Sequence, residues 1–136
     1  AVLSPTRVAY LDLTGSGAET IAHLRDNGRI TLMFCAFEGP PNIVRVYGRG
    51  EAIPVDEARA APLLARFEPQ PGARTVISVE VDRVSTSCGY GVPQYRYDAD
   101  RDDLLRWADR KGEELPEYWA TTNRTSIDGL PALDGP

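Results

Sequence analysis

Hydrophobic and polar residues follow two different periods along the chain, and these periods divide it into strands and helices. Residues 7–12 form a short apolar and aromatic run that ends in a glycine-rich turn, which predicts a strand. Residues 29–37 are apolar at nearly every position, which predicts a central strand covered on both faces. Residues 43–53 predict another long strand, and the short break at 38–42 predicts that the two strands form an antiparallel hairpin.

A fourth predicted strand completes the sheet, and glycines are expected to bend it. Residues 74–85 alternate, with Ile77 on one side and Glu80 on the other, which predicts a strand with one solvated face. Gly48 and Gly50 lie inside the second hairpin strand, where they predict a bulge or a sharp bend. Such a bend allows a sheet to curl into a barrel.

The first helix is predicted directly after the first strand. Ser16 stands three residues before Glu19, which is the spacing of a capping box, and Gly28 supplies a left-handed stop. Further helical segments are predicted at residues 56–67 with Pro62 starting a second piece, after a cap at Asp100, and from Pro116 onwards.

These elements predict an α+β, mainly β, fold in which an antiparallel barrel carries flanking helices. At 136 residues we expect one domain, with the barrel core at 1–98 and a helical extension and tail at 99–136. Because four strands do not close a barrel comfortably, we expect further strands from a partner or from residues before Ala1.

Composition narrows the classes of function. The net charge is -5 and no basic cluster forms, which disfavours nucleic-acid binding. No apolar run is long enough for a membrane span and no signal peptide is visible, so we expect a cytoplasmic protein whose partner is a small molecule or a protein. Cys35 and Cys88 are expected to be buried, reduced thiols. His23 is the single histidine, so no metal site is predicted; it is expected to pair with Glu19 on the helix surface.

The turn at residues 14–17 is the candidate site. Its sequence, Thr-Gly-Ser-Gly, combines hydroxyls and flexible backbone with the unpaired N–H groups of the following helix, which favours binding of an anion. The alternative is a plain strand-to-helix turn. Glu19 disfavours a dianion because its carboxylate lies in the first helical turn.

The order of residues from about 8 to 133 resembles the FMN-binding split-barrel family related to pyridoxamine 5'-phosphate oxidase. The resemblance is carried by residues 9–17, 24–30 and 48–50, and by two segments typical of a bacterial oxidase-like subgroup, 87–93 and 126–131. It implies an antiparallel split barrel and a homodimer with FMN at the subunit interface. By position, the cofactor-binding residues are Thr14, Ser16, Gly17 and Thr20.

The chain departs from the family at the phosphate turn. Ala18, Glu19 and Thr20 stand where the resemblance places Ser, Arg and Lys in a true oxidase. Loss of two cations weakens capture of a phosphate, because charge-assisted hydrogen bonds are roughly twice as strong as neutral ones. The resemblance therefore supports the fold more strongly than it supports oxidation of pyridoxamine phosphate.

Three hypotheses follow. The first is an FMN-binding oxidoreductase that acts on an unidentified small molecule, with no catalytic residue named. The second is a non-catalytic split-barrel module that binds a ligand or dimerises without flavin, and the third is a deazaflavin-dependent reductase. The turn at residues 88–93 either lines a pocket beside the flavin or only reverses the chain.

Overall fold

A long strand, β5 (Ala73–Ser87), is the centre of the sheet in the computed structural model, which describes residues 1–133. On one side it pairs with β2 (Arg7–Leu13), which pairs with β1 (Val2–Ser4). On the other side it pairs with β4 (Ile43–Pro54), which pairs with β3 (Arg29–Cys35). Every pairing is antiparallel, and the strand order within the described residues is β1-β2-β5-β4-β3. The α+β, mainly β, class is confirmed, and β1 is a strand that the sequence pattern did not predict.

The prediction of β3 as the central strand is wrong. It is an edge strand, and its Met33 and Phe34 side chains are 59% and 58% exposed. The central strand is β5, whose residues 74–79 are buried on both faces, so its predicted solvated face is wrong for this half. An apolar run indicates side chains that are favourable to bury, but it does not show that residues of the same chain bury them.

The β3–β4 hairpin and the bulge at Gly48 are confirmed. Cys35 is paired with Ile43 across the hairpin, and the register between β4 and β5 shifts at Tyr47 and Gly48. A Cβ atom on Gly48 would lie 2.0 Å from the carbonyl oxygen of Glu80. Glycine is therefore required for the close approach of the two backbones.

Helix α1 (Glu19–Asn27) begins later than the predicted capping box. Ala18 is its N-cap, and no side chain caps the helix. The Glu19 carboxylate instead accepts a hydrogen bond from the backbone N–H of Ile127 at 3.0 Å, so it is not available to Ser16. The predicted end is confirmed, because Gly28 adopts φ +69° and donates to the carbonyl of Leu24.

The other helices are shorter than predicted or shifted. The segment after β4 forms a 3-10 turn (Ala58–Ala60) and the short helix α2 (Ala61–Leu64), with Pro62 in its first turn. Helix α3 (Asp103–Lys111) is preceded by Asp102 rather than Asp100, and a 3-10 turn (Gly112–Glu114) leads into α4 (Leu115–Thr122). None of the helices in residues 1–133 has the length and apolar character of a membrane span.

The core lies between α1 and the sheet. Ile21, Ala22 and Leu24 of α1 pack with Ile77 and Val79 of β5, and the C-terminal segment covers the cluster with buried Ala132. The predicted boundary between a core at 1–98 and an extension at 99–136 stays a prediction, and its last three residues lie outside the described part of the chain.

Arg74 of β5 joins the sheet, the turn after β2 and the C-terminal segment. Its side chain is 5% exposed, and its Nε donates to Oδ2 of Asp12 at 2.6 Å. The two terminal nitrogens donate to Oδ1 of Asn123 at 2.7 Å and to the Gly17 carbonyl at 2.9 Å. Asn123 also donates to the Gly15 carbonyl at 3.0 Å. One guanidinium thus positions the turn from inside the protein.

We expect Arg74→Met to lower the free energy of unfolding by about 3–5 kcal/mol, because it leaves the Asp12 carboxylate without its cation and the Gly17 carbonyl without its donor. Urea denaturation measures this change. Arg59→Met is the matched control, since Arg59 also binds two carboxylates, those of Glu51 and Glu57, but on the surface. Its effect should be far smaller, and equal losses would contradict the role assigned to Arg74.

We expect Gly48→Ala to destabilise the protein by about 1–3 kcal/mol, because the methyl group forces β4 away from the Glu80 carbonyl. Gly15→Ala is its control, since a Cβ atom there meets nothing within 4 Å. Thermal denaturation of both variants tests the bulge. A Gly48→Ala protein as stable as Gly15→Ala would show that the sheet tolerates a side chain at this position.

Candidate functional site

The predicted anion turn, residues 14–17, connects β2 to α1, and its first residue has a structural role. Thr14 is fully buried. Its hydroxyl donates to the Gly72 carbonyl at 2.7 Å and accepts from Nε1 of Trp119 at 2.8 Å, while its backbone N–H also donates to Gly72. The hydroxyl proton is therefore committed within the protein. The part of Thr14 in cofactor binding stays a prediction, and these contacts do not favour it.

Two of the other predicted residues are exposed to solvent. Ser16 lies in the turn and Thr20 in the first turn of α1, and both are exposed. The first N–H groups of a helix have no acceptor within it, so they can bind an anion together with these hydroxyls. Gly17 contributes differently, because its carbonyl accepts from Arg74 on the inner side. The cofactor-binding roles of Ser16, Gly17 and Thr20 stay predictions.

The charges at this turn are mainly compensated. Arg74 approaches the turn from within, but its guanidinium is paired with Asp12. The Glu19 carboxylate is held by Ile127 through Oε1, whereas Oε2 is buried and has no hydrogen-bond partner among the described residues. Any anion at the start of α1 therefore interacts with neutral donors and lies close to a carboxylate.

An apolar groove of about 540 Å³ lies beside the sheet. It is bordered by residues of the first four strands in chain order and by the N-terminus: Ala1, Val2, Val8, Ala9, Tyr10, Thr31, Leu32, Met33, Phe34 and Val46. Pockets for small molecules commonly measure roughly 300–1,000 Å³ and are mainly apolar. The sequence carried a signal for this groove in the apolar run at 29–37, which we interpreted as buried core.

Tyr10 connects the groove to the start of α1. Its ring borders the groove, and its side chain is hydrogen-bonded with Thr20. Burial raises the pKa of the Tyr10 phenol, and the negative charge of Asp12 raises it further, while the hydrogen bond with Thr20 acts in the opposite direction. The phenol is accordingly neutral at physiological pH. Tyr10 therefore borders the groove and also interacts with the first turn of α1.

The turn at residues 88–93 and the two tryptophans have packing roles. Gly89, in the turn at residues 88–93, adopts φ +67°, and a Cβ atom there would lie 2.6 Å from the backbone nitrogen of Asn42. This close approach favours the interpretation as a chain reversal. The ring of Trp107 packs edge-on against Tyr118 at 5.1 Å, and Trp119 donates to Thr14. Both tryptophans therefore make contacts within the fold.

The comparisons with known proteins agree with the architecture. The family described as Pyridoxamine 5'-phosphate oxidase matches residues 3–88. A curated relative is the pyridoxamine 5'-phosphate oxidase family protein ustO of Aspergillus flavus, which is 43% identical over 150 aligned positions. The alignment covers 98% of this chain but only 60% of the relative. No solved structure gives a significant match. From the extent of the family match and the identity to the relative, the chain belongs to the pyridoxamine 5'-phosphate oxidase family.

Proposed function

We propose that this chain binds a flavin, FMN, as a homodimer, and that the flavin serves oxidation or reduction of a small molecule. The observation that carries the proposal is the apolar groove bordered by Tyr10, whose phenol also interacts with Thr20 at the start of α1. A flavin has two corresponding parts, a planar ring system with an apolar dimethylbenzene edge and an anionic phosphate at the end of a flexible chain.

The groove suits the ring system. Its border is mostly aliphatic and aromatic, so a planar heterocycle loses water on both partners when it binds there. Tyr10 supplies a neutral hydroxyl at the border of the groove, and its raised pKa keeps the proton in place. Tyr10 would orient the ring by hydrogen bonding, and the aliphatic border of the groove would exclude water.

The start of α1 suits the phosphate. Ser16 and Thr20 are exposed there, and the helix N-terminus adds N–H donors and the positive end of its dipole. The Glu19 carboxylate accepts a hydrogen bond from the backbone N–H of Ile127, which fixes its position. The residues present fit a phosphate that is held by neutral donors, with weaker affinity than a site containing arginine and lysine.

When bound, the flavin supplies the capacity for hydride and electron transfer, and the protein supplies binding and orientation. This chain's own contribution is a water-excluding groove, the Tyr10 hydroxyl and the donors at the start of α1. The substrate of the proposed oxidoreductase is an unidentified small molecule. The relative contains a further 40% of its length outside the aligned part, so an activity of the whole protein is a proposal as well.

A homodimer is supported by the exposed apolar side chains around the groove. Val2, Met33 and Phe34 are all more than half exposed and all border it, and Val84 of β5 is also exposed. Contiguous apolar surface of this kind is typical of an interaction site. A second copy of the chain would cover these side chains and close the open side of the groove.

One observation favours the alternative of a split-barrel module without flavin. Glu19 brings a negative charge to the start of α1, where the family resemblance places an arginine. A deazaflavin is the other alternative, since its ring would enter the same groove. Spectra distinguish the three cases.

We expect purified protein, or protein supplied with FMN, to show flavin absorbance in the visible blue that is released on denaturation. Thr20→Asp should weaken FMN binding by on the order of tenfold, because it places a carboxylate beside the phosphate. Fluorescence titration with FMN measures the dissociation constant. The control is Thr86→Asp, the same charge change on an exposed residue near the far end of β5.

Protein that stays colourless and fails to take up added FMN would overturn the proposal in favour of the module without flavin. Uptake of a deazaflavin but not of FMN would favour the reductase alternative. Equal affinities in the two aspartate variants would place the phosphate away from α1.

We expect the protein to be a dimer in light scattering, and Met33→Glu to produce monomers, because it places a charge within the apolar surface of β3. Leu104→Glu is the matched control, since Leu104 is an exposed apolar residue on α3, outside the groove. A wild-type monomer, or dissociation of both variants to the same extent, would contradict this interface.

A further inference from the structure

Three potential metal ligands from two distant parts of the chain converge beside the start of α1. Glu19 and His23 are one helical turn apart on α1, and Asp128 lies in the turn that follows α4. One ligand atom from each of the three residues lies within 4.8 Å of the others. Nε2 of His23 and Oδ2 of Asp128 are 3.3 Å apart.

The position of Asp128 is fixed by a closed turn. Ser126 donates its backbone N–H to the Leu130 carbonyl at 2.9 Å, and Gly129 donates to the Ser126 carbonyl at 3.0 Å. The Ser126 hydroxyl accepts from the Leu130 N–H at 3.1 Å, and Ser126 itself is buried. The N–H of Ile127 then binds Glu19. The turn therefore holds its carboxylate over α1 through backbone contacts.

Glu19 has an unsatisfied oxygen. Oε1 accepts from Ile127, but Oε2 is buried without a hydrogen-bond partner among residues 1–133. Buried polar atoms in native proteins nearly always have a partner, and an exception is explained by a catalytic role, a water or an ion. A carboxylate oxygen has only acceptor capacity, so its missing partner is either a donor or a cation. This observation is independent of the approach of His23 to Asp128.

We propose that Glu19, His23 and Asp128 bind one divalent transition metal of the Zn²⁺ class. The set offers one imidazole nitrogen and carboxylate oxygens from two residues, a mixture that suits first-row transition ions better than Mg²⁺ or Ca²⁺, which prefer oxygen ligands. Two carboxylates and a neutral imidazole balance the charge of the ion. Three protein ligands leave a position open on the solvent side, where His23 and Asp128 are exposed.

The ion would take the place of the proton in the contact between His23 and Asp128, since an imidazole nitrogen binds a metal only without its proton. The ion would also connect the turn at residues 126–130 to α1 through all three side chains. The proposal does not depend on flavin binding, because none of the three residues borders the apolar groove.

The experiment is a calorimetric titration of tag-free, chelator-treated protein with Zn²⁺ alone. We expect one Zn²⁺ per chain and a rise in melting temperature. His23→Gln and Asp128→Asn should each lower the affinity by on the order of tenfold or more, because loss of a ligand costs at least as much as loss of a residue that only orients one. Mg²⁺ in excess should not displace Zn²⁺.

Two control variants separate this site from others. Asp26→Asn removes an exposed carboxylate from the same helix outside the cluster, and Cys88→Ser removes an exposed thiol that could bind Zn²⁺ elsewhere. Both should keep the wild-type affinity. Because His23 is the single histidine, the imidazole NMR signals report directly on it. During titration with Zn²⁺ these signals should shift with the same midpoint as the calorimetric binding curve.

Absence of Zn²⁺ binding to the wild-type protein would overturn the proposal. Wild-type affinity in His23→Gln would overturn it too, as would loss of binding in Cys88→Ser, since each result places the ion outside the cluster.

Discussion

The buried guanidinium of Arg74 is the constraint on which the arrangement of the site depends. A charged group on the central strand must be paired and hydrogen-bonded, because an uncompensated charge in the interior is costly. Arg74 meets this requirement with the Asp12 carboxylate, the Asn123 amide and the Gly17 carbonyl. These partners come from three separate segments. The strand before the turn, the turn itself and the end of α4 are therefore fixed relative to one another by one side chain.

The inner contacts of the turn determine what its outer side can offer. Carbonyls of Gly15 and Gly17 accept from Asn123 and Arg74, and the Thr14 hydroxyl is engaged by Gly72 and Trp119. Ser16 and Thr20 are exposed at the start of α1, and the Thr20 side chain also interacts with the Tyr10 phenol. The turn is therefore held on its inner side and accessible on its outer side. Glu19 places a carboxylate beside that outer side, in the first turn of α1.

Local chemistry in the sequence predicted the elements that local interactions determine. The hairpin that joins β3 to β4 and the left-handed stop at Gly28 depend on residues close in sequence, and both are present. The bulge at Gly48 is present too, and glycine itself signalled it although its partner, Glu80, lies on β5. The capping box failed because the partner of Glu19 is Ile127, 108 residues farther along the chain. The buried position of Thr14 could not be predicted either, since nothing in the sequence near residue 14 indicates its hydrogen bond with Trp119. The position of β3 at the edge of the sheet was not predicted, because an apolar sequence does not show which surface covers the side chains.

The contacts of the turn also have a consequence for the order in which the protein is made. Thr14 and Trp119 are 105 residues apart, and Glu19 and Ile127 are 108 apart, so these residues meet partners that are synthesised much later. During translation the first strands and α1 leave the ribosome without these donors. Closing such long loops costs entropy before their contacts can contribute, which slows folding of non-local structures. The turn at residues 14–17 therefore reaches its final hydrogen bonding only after α4 has been made, and a nascent chain that stops before α4 holds the turn without its inner contacts to Trp119 and Asn123.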